Sequence, residues 1–152
     1  MTYKTELDLP IPQLLQVAKS ANSLIRLGID IGGGTGTFGA RMKQYNVTVI
    51  TTTMNFNAPN NEVVAIRVNR WIPLKMMEFL FYDVDRVLRG GGYFWLDHFF
   101  SKGVDLDKIY GPLIGKLGYK KVKWAVGNKT DSSGLKNGEV YLTALLQKPV
   151  SR

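Results

Sequence analysis

Apolar positions along the chain recur with two periods, and they divide it into alternating helices and strands. Residues 10–25 (PIPQLLQVAKSANSLI) space their apolar side chains as a helix does, behind a proline-containing start. Leu27, Ile29 and Ile31 alternate as in a short strand, which runs into a glycine cluster. TGTFGARMKQY (35–45) predicts a helix, with Phe38 and Met42 four residues apart on one face. VTVITTT (47–53) is β-branched and predicts a second strand. An Asn-rich loop (54–61) and a third strand, EVVAIR (62–67), follow. The longest helix is expected over 71–89, where Leu74, Met77, Leu80, Phe81, Val84 and Leu88 keep the i, i+3, i+4 rule. Gly90, Gly91 and Gly92 stop it. YFWLDHFF (93–100) predicts an aromatic strand, and 104–118 a weaker helix with internal Gly and Pro. Strands 119–126 and 139–147 close the chain, joined by a polar loop (127–138).

Strand, glycine turn, helix and strand in that order make a βαβ unit with parallel strands. The last two strands have no helix between them and are expected to pair as an antiparallel hairpin. The fold class is therefore α/β, mostly parallel, with an antiparallel strand near one edge.

With 152 residues, 45% of them apolar and 21% charged, the chain reads as one domain over 1–152 with an ordinary core. It has no Cys, which removes disulfides, thiolate metal sites and cysteine nucleophiles, and His98 is its one histidine, so no histidine-rich metal site is expected. No apolar run is long enough to span a bilayer, and MTYKTELDLP does not read as a signal peptide, so a cytoplasmic location is expected. The formal charge is +8, with the excess near the end of the chain at Lys116, Lys120, Lys121, Lys123, Lys129, Lys136, Lys148 and Arg152. Such a face suits an acidic partner, or is a solvated rim; nucleic acid is possible, but no nucleic-acid motif accompanies it.

The stretch with chemical content is Gly28-Ile29-Asp30-Ile31-Gly32-Gly33-Gly34-Thr35-Gly36-Thr37-Phe38-Gly39. It holds Asp-x-Gly-x-Gly-x-Gly at Asp30, Gly32, Gly34 and Gly36, and Gly-x-Gly-x-x-Gly at Gly34, Gly36 and Gly39. Glycines allow positive φ and let a ligand approach the backbone, and the turn after the first strand is the ligand crevice of open α/β sheets. Three readings compete. NAD(P) would need an acid at the end of the second strand, where Thr51-Thr52-Thr53 stands. The phosphate loop of actin-like and sugar-kinase ATPases opens similarly but continues into a β-hairpin and needs two domains. S-adenosylmethionine suits an acid, Asp30, that can take an ammonium beside glycines that admit an adenosine.

The chain resembles the class I S-adenosylmethionine-dependent methyltransferases, and most closely plant methyltransferase-like proteins that carry DIGGGTGTFGARM followed by VTVITTTMN. Leu88-Arg89-Gly90-Gly91-Gly92 is similar to the turn before that family's fifth strand, and Leu117-Gly118-Tyr119 to the turn before its sixth. The resemblance implies a three-layer Rossmann-like sheet, S-adenosyl-L-methionine as cofactor, and methyl transfer to an acceptor that these residues do not identify. It places Asp30, Gly32, Gly33, Gly34 and Gly36 along the cofactor, and Thr51 and Thr52 where most members carry an acid for the ribose.

The family also carries an αβ unit, with its fourth strand and catalytic loop, that has no counterpart between Arg67 and Trp71. The chain reads as a shortened form. Helix 71–89 would be about 28 Å long at 1.5 Å per residue, enough to cross two strands, about 15 Å, and seat the aromatic strand beside the first. The expected sheet then has six strands in the order 62–67, 47–53, 27–31, 93–100, 139–147, 119–126. A non-catalytic protein that binds cofactor or a partner is the alternative function.

Methyl transfer from a sulfonium needs alignment and at most a modest base. Asp97 and His98 are the candidates for orienting or deprotonating an acceptor, at the end of strand 93–100; polar capping of a strand end explains them equally. Trp71 and Tyr93 could stack on adenine or pack in the core.

Overall fold

The computed structural model describes residues 5–33, 35–52, 74–129 and 137–150. They fall into two compact units, residues 11–69 and residues 1–10 with 70–152. The expected strand 62–67, Trp71, Lys136, Arg152 and Gly34 lie outside the described residues.

In the first unit α1 (Ile11–Ser20) buries Ile11, Leu14 and Ala18, the stripe that the helical spacing marks out. It ends where Asn22 takes a left-handed φ of 53°. β1 (Leu27–Ile31) then leads through the glycine turn into α2 (Thr37–Lys43), and β2 (Thr48–Thr52) follows. β1 and β2 pair in parallel, with Ile29 opposite Ile50 and Asp30 opposite Thr51. A helix follows the glycines, as the sequence predicts. Gly39 lets it sit close to β2, because a Cβ there would stand 3.0 Å from Thr51 Oγ1. The alternation in β1 puts Gly28 and Asp30 on one face and Leu27, Ile29 and Ile31 on the other. That second face stays open: Leu27 is 67%, Ile29 60%, Ile31 47% and Ile50 56% exposed. Parallel pairs are ordinarily covered on both faces.

In the second unit α3 (Leu74–Val87) precedes β3 (Tyr93–Lys102). The region predicted as one weak helix is broken into α4 (Gly103–Asp105), one wide π-helical turn (Leu106–Tyr110) and α5 (Gly111–Lys116). Pro112, in the first turn of α5, has no N–H to offer the preceding turn, and Gly111 weakens the ladder beside it. β4 (Lys120–Asn128) and β5 (Glu139–Gln147) complete the unit.

β5 lies between β3 and β4 and is antiparallel to both. Leu142, Thr143, Ala144, Leu145 and Leu146 on β5 are completely buried. On one face Phe81 of α3 meets Phe94 edge-on at 5.2 Å, and Tyr110 meets Phe99 edge-on at 5.2 Å. On β4 the N-terminal segment adds cover, since Lys123 Nζ donates to the Asp8 carbonyl at 2.6 Å and Leu7 lies against Gly127.

The expected sheet is corrected by this topology. Strands β2 and β1 are neighbours, and β3, β5 and β4 follow one another, as expected. The predicted join between strand 27–31 and strand 93–100 is not made: the described strands form a two-stranded parallel sheet and a three-stranded antiparallel one. Parallel pairing is therefore confined to β1 and β2, and five strands are described rather than six. The physical reason is that β3 satisfies its ladder through a long antiparallel register with β5, from Tyr93 opposite Gln147 to Lys102 opposite Glu139. Length of helix permitted the crossover but did not select it.

Candidate functional site

Parallel pairing brings the carboxyl ends of β1 and β2 to one edge, and the glycine turn folds over it. Gly32 takes a left-handed φ of 77° and Gly36 one of 74°, conformations that cost other residues energy. Thr52 locks the turn. Its Oγ1 accepts from Gly32 N at 3.2 Å and donates to the Asp30 carbonyl at 3.3 Å, and its own carbonyl accepts from Gly33 N at 3.1 Å.

Asp30 projects beneath this turn. A Cβ on Gly33 would stand 2.0 Å from Asp30 Oδ2 and 2.5 Å from Thr51 Cγ2, so only glycine fits there. Asp30 Oδ2 is buried without a hydrogen-bond partner. Burial pushes the carboxyl above its ordinary value of 3.8. A buried carboxylate oxygen that the chain leaves unpaired is a group awaiting a donor.

Beside the turn a groove of about 480 Å³ runs along the seam of α2 and β2, from Gly36 and Thr51 to Lys43 and Val47. Its size is within the range of ligand clefts, about 300–1,000 Å³.

The structure thus brings together Asp30, Gly32, Gly33, Gly36, Thr51 and Thr52. It gives the two threonines different work from the ribose contact that the resemblance implies. Thr52 Oγ1 is engaged within the turn, and Thr51 packs between Gly33 and Gly39. Nothing in the residue types distinguishes these roles; the alternation along β2 does, because Thr51 shares its face with Val49 and Thr52 with Ile50.

Asp97 and His98 belong to the other unit. The sequence places them at the end of a strand, but β3 runs on to Lys102, so they lie in its middle, at an irregularity in the ladder between Leu96 and Phe99. His98 Nδ1 and Asp97 Oδ1 are 3.0 Å apart. Tyr93 is half-buried on the same strand, with its hydroxyl buried and its pKa pushed up by desolvation. The partner of His98 that sequence reading misses is Thr143, a wholly buried polar residue within the apolar run VYLTALL; its Oγ1 accepts from His98 N at 3.3 Å.

The expected basic face is partly engaged within the chain. Lys129 pairs with buried Glu139 at 3.0 Å, Lys148 with Asp85 at 3.5 Å, and Lys123 with the Asp8 carbonyl. Lys121 lies over the Trp124 ring at 4.2 Å. No helix among the described residues is long and apolar enough to cross a membrane, and no group of three potential metal-ligating side chains occurs among them.

The resemblance carried by the glycine motif holds against known proteins. The chain is a shorter homologue of a plant protein named as a methyltransferase. That relative, a "probable methyltransferase" of Arabidopsis thaliana, is 62% identical over 178 aligned positions, which take in 99% of this chain and 46% of the relative. The chain spans about half the length of the curated relative it matches. The aligned span exceeds the chain's own 152 residues, so the relative carries residues inside it that have no counterpart here. No family model matches the sequence, and no solved structure matches it.

Proposed function

We propose that this chain is a methyltransferase that takes S-adenosyl-L-methionine at the turn over Asp30. The observation that carries the reading is the unpartnered, buried Oδ2 of Asp30 beneath a glycine that has no room for a side chain. A cationic ammonium supplied by the cofactor would relieve that carboxylate of its desolvation. The homologue's name supports the same class of reaction. Each sheet also keeps the strand neighbours that a Rossmann-like methyltransferase sheet implies, β2 beside β1 and β5 between β3 and β4.

When bound, the cofactor supplies an electrophilic methyl group on a sulfonium. The chain's part is to hold and orient. Asp30 takes the positive end, the backbone of Gly32 and Gly33 approaches closely because neither carries a side chain, and Thr52 fixes the turn through its two hydrogen bonds. Pre-set geometry of this kind is the main source of acceleration for a displacement that needs no metal.

A second reading, a non-catalytic protein that retains cofactor binding or serves a partner, draws on two observations. The relative has residues within the aligned span that this chain lacks, and the apolar face of β1 and β2 is open. Calorimetric titration of the purified chain with S-adenosylmethionine tests the common element. Saturable binding supports both readings, and release of S-adenosylhomocysteine with an acceptor separates them. No heat and no thermal stabilisation at millimolar cofactor would overturn the cofactor assignment.

A further inference from the structure

The middle of β3 is built against its own regularity. Leu96 pairs with Ala144 and Phe99 with Leu142, so Asp97 and His98 together stand opposite the single residue Thr143. His98 adopts a φ of 48°, in the left-handed region that costs a residue with a Cβ about 1–2 kcal/mol. Its N–H turns to the Thr143 side chain instead of a strand carbonyl. Bulges of this kind re-aim side chains, and strain held by surrounding structure gathers at functional positions.

What the bulge achieves is a pair. His98 Nδ1 lies 3.0 Å from Asp97 Oδ1. An ionised carboxylate only accepts, so the ring proton stands on Nδ1 and donates to Asp97, which leaves the lone pair on Nε2. The side chains are 44% and 57% exposed, so a ligand can reach them. The ring of Tyr141 is 6.4 Å away, and the residues in register on β5 and β4, Thr143 and Ala125, carry no charge. The Lys129–Glu139 pair lies further along the strands, over Phe100. Asp97 is therefore the ionised group presented to the imidazole by the strands that flank it.

We propose that Asp97 and His98 form a proton-accepting site for a hydroxyl or amine ligand. Under the methyltransferase reading, on which this role rests, that ligand is the methyl acceptor. The ligand's O–H or N–H proton passes to Nε2, and Asp97 balances the imidazolium that forms. The electron pair left on oxygen or nitrogen makes the new bond to the methyl carbon, whose bond to sulfur breaks with its electrons leaving on sulfur.

His98 is the sole histidine, so its ring nitrogens give the only imidazole signals of the full chain labelled with ¹⁵N-histidine. The neutral ring is expected to carry its proton on Nδ1, and Asp97→Ala to move it to Nε2. Acylation of the ring by diethyl pyrocarbonate is expected to slow several-fold in Asp97→Ala. His98→Asn, which tolerates positive φ, is expected to abolish that acylation while the chain stays folded. An Nε2-protonated ring in the unaltered chain, or equal acylation with and without Asp97, would overturn the dyad. Calorimetry with S-adenosylmethionine separates the two claims. Absence of binding with the Nδ1 signature intact overturns the acceptor role together with the methyltransferase reading, whereas binding with an Nε2-protonated ring overturns the dyad alone.

Discussion

The carboxylate of Asp30 occupies the space that a side chain on Gly33 would need: an added Cβ would stand 2.0 Å from Oδ2 and 2.6 Å from Cγ. The two positions are thus one device, an acid at the end of a strand and a glycine folded over it. Gly33→Ala should displace the turn and cost about 1–3 kcal/mol, as overpacking does. Adding Asp30→Ala should recover part of that loss, and the remainder belongs to Thr51 Cγ2 at 2.5 Å. A double-mutant cycle by urea denaturation measures the coupling; additive losses would break the link between the two residues.

Asp30 itself is expected to work against stability. Its carboxyl pKa is raised in the folded chain by burial. The folded state therefore holds that proton more tightly than the unfolded state. The favourable contribution is complete below the unfolded value and is lost as pH rises through the raised one. At neutral pH the fold carries an ionised, unpartnered oxygen. Asp30→Asn should raise the denaturation midpoint at neutral pH, and the gain should shrink on acidification to about pH 4 and below. The same change should weaken S-adenosylmethionine binding at least about tenfold, about 1.4 kcal/mol. A destabilised variant with unchanged affinity would contradict both halves.

Thr52→Val keeps the shape of the side chain and removes the hydroxyl that ties Gly32 N to the Asp30 carbonyl. A loss of about 1–2 kcal/mol is expected in chemical denaturation. Thr51→Val, whose hydroxyl makes no bond across the turn, should cost less.

His98→Gly should be more stable than His98→Ala by about 1 kcal/mol, because glycine adopts the positive φ at that position freely. Equal midpoints for the two variants would mean that the bulge relaxes when the ring is removed.

Glu139 is buried, and Lys129 Nζ pairs with it at 3.0 Å. Lys129→Met leaves the carboxylate without its cation and should cost about 3–5 kcal/mol, whereas Lys129→Met with Glu139→Leu should recover most of the loss. Thermal denaturation of both variants checks the difference.

Local elements were legible because each depends on its own periodicity. The stripe of Ile11, Leu14 and Ala18, the alternation of Leu27, Ile29 and Ile31, and the glycines after Val87 mark helix, strand and stop without reference to the rest of the chain. The antiparallel closing strands followed from the absence of a helix between them. What was not legible depends on partners far along the chain. Whether strand 93–102 pairs with Ile31 or with Gln147 is decided by competing ladders, not by the aromatic pattern of the strand. The bulge at His98 depends on Thr143, 45 residues away. At the candidate site the acid and glycines were legible as a motif, because their spacing is the geometry. The division of labour between Thr51 and Thr52 was not, because both residues carry the same groups and only the facing of β2 separates them.

The position of β5 governs when the second unit can come into being. It follows β3 and β4 in the chain yet lies between them, and its residues 142–146 are the most deeply buried of the sheet. During synthesis β3 and β4 emerge with their facing edges unfilled and the aromatic cluster of Phe81, Phe94, Phe99 and Tyr110 uncovered. That surface stays available to chaperones, or to neighbouring nascent chains, until Gln147 clears the ribosome. Folding of this unit is thereby a post-emergence event, and a message that stops short of codon 139 yields no partial version of it.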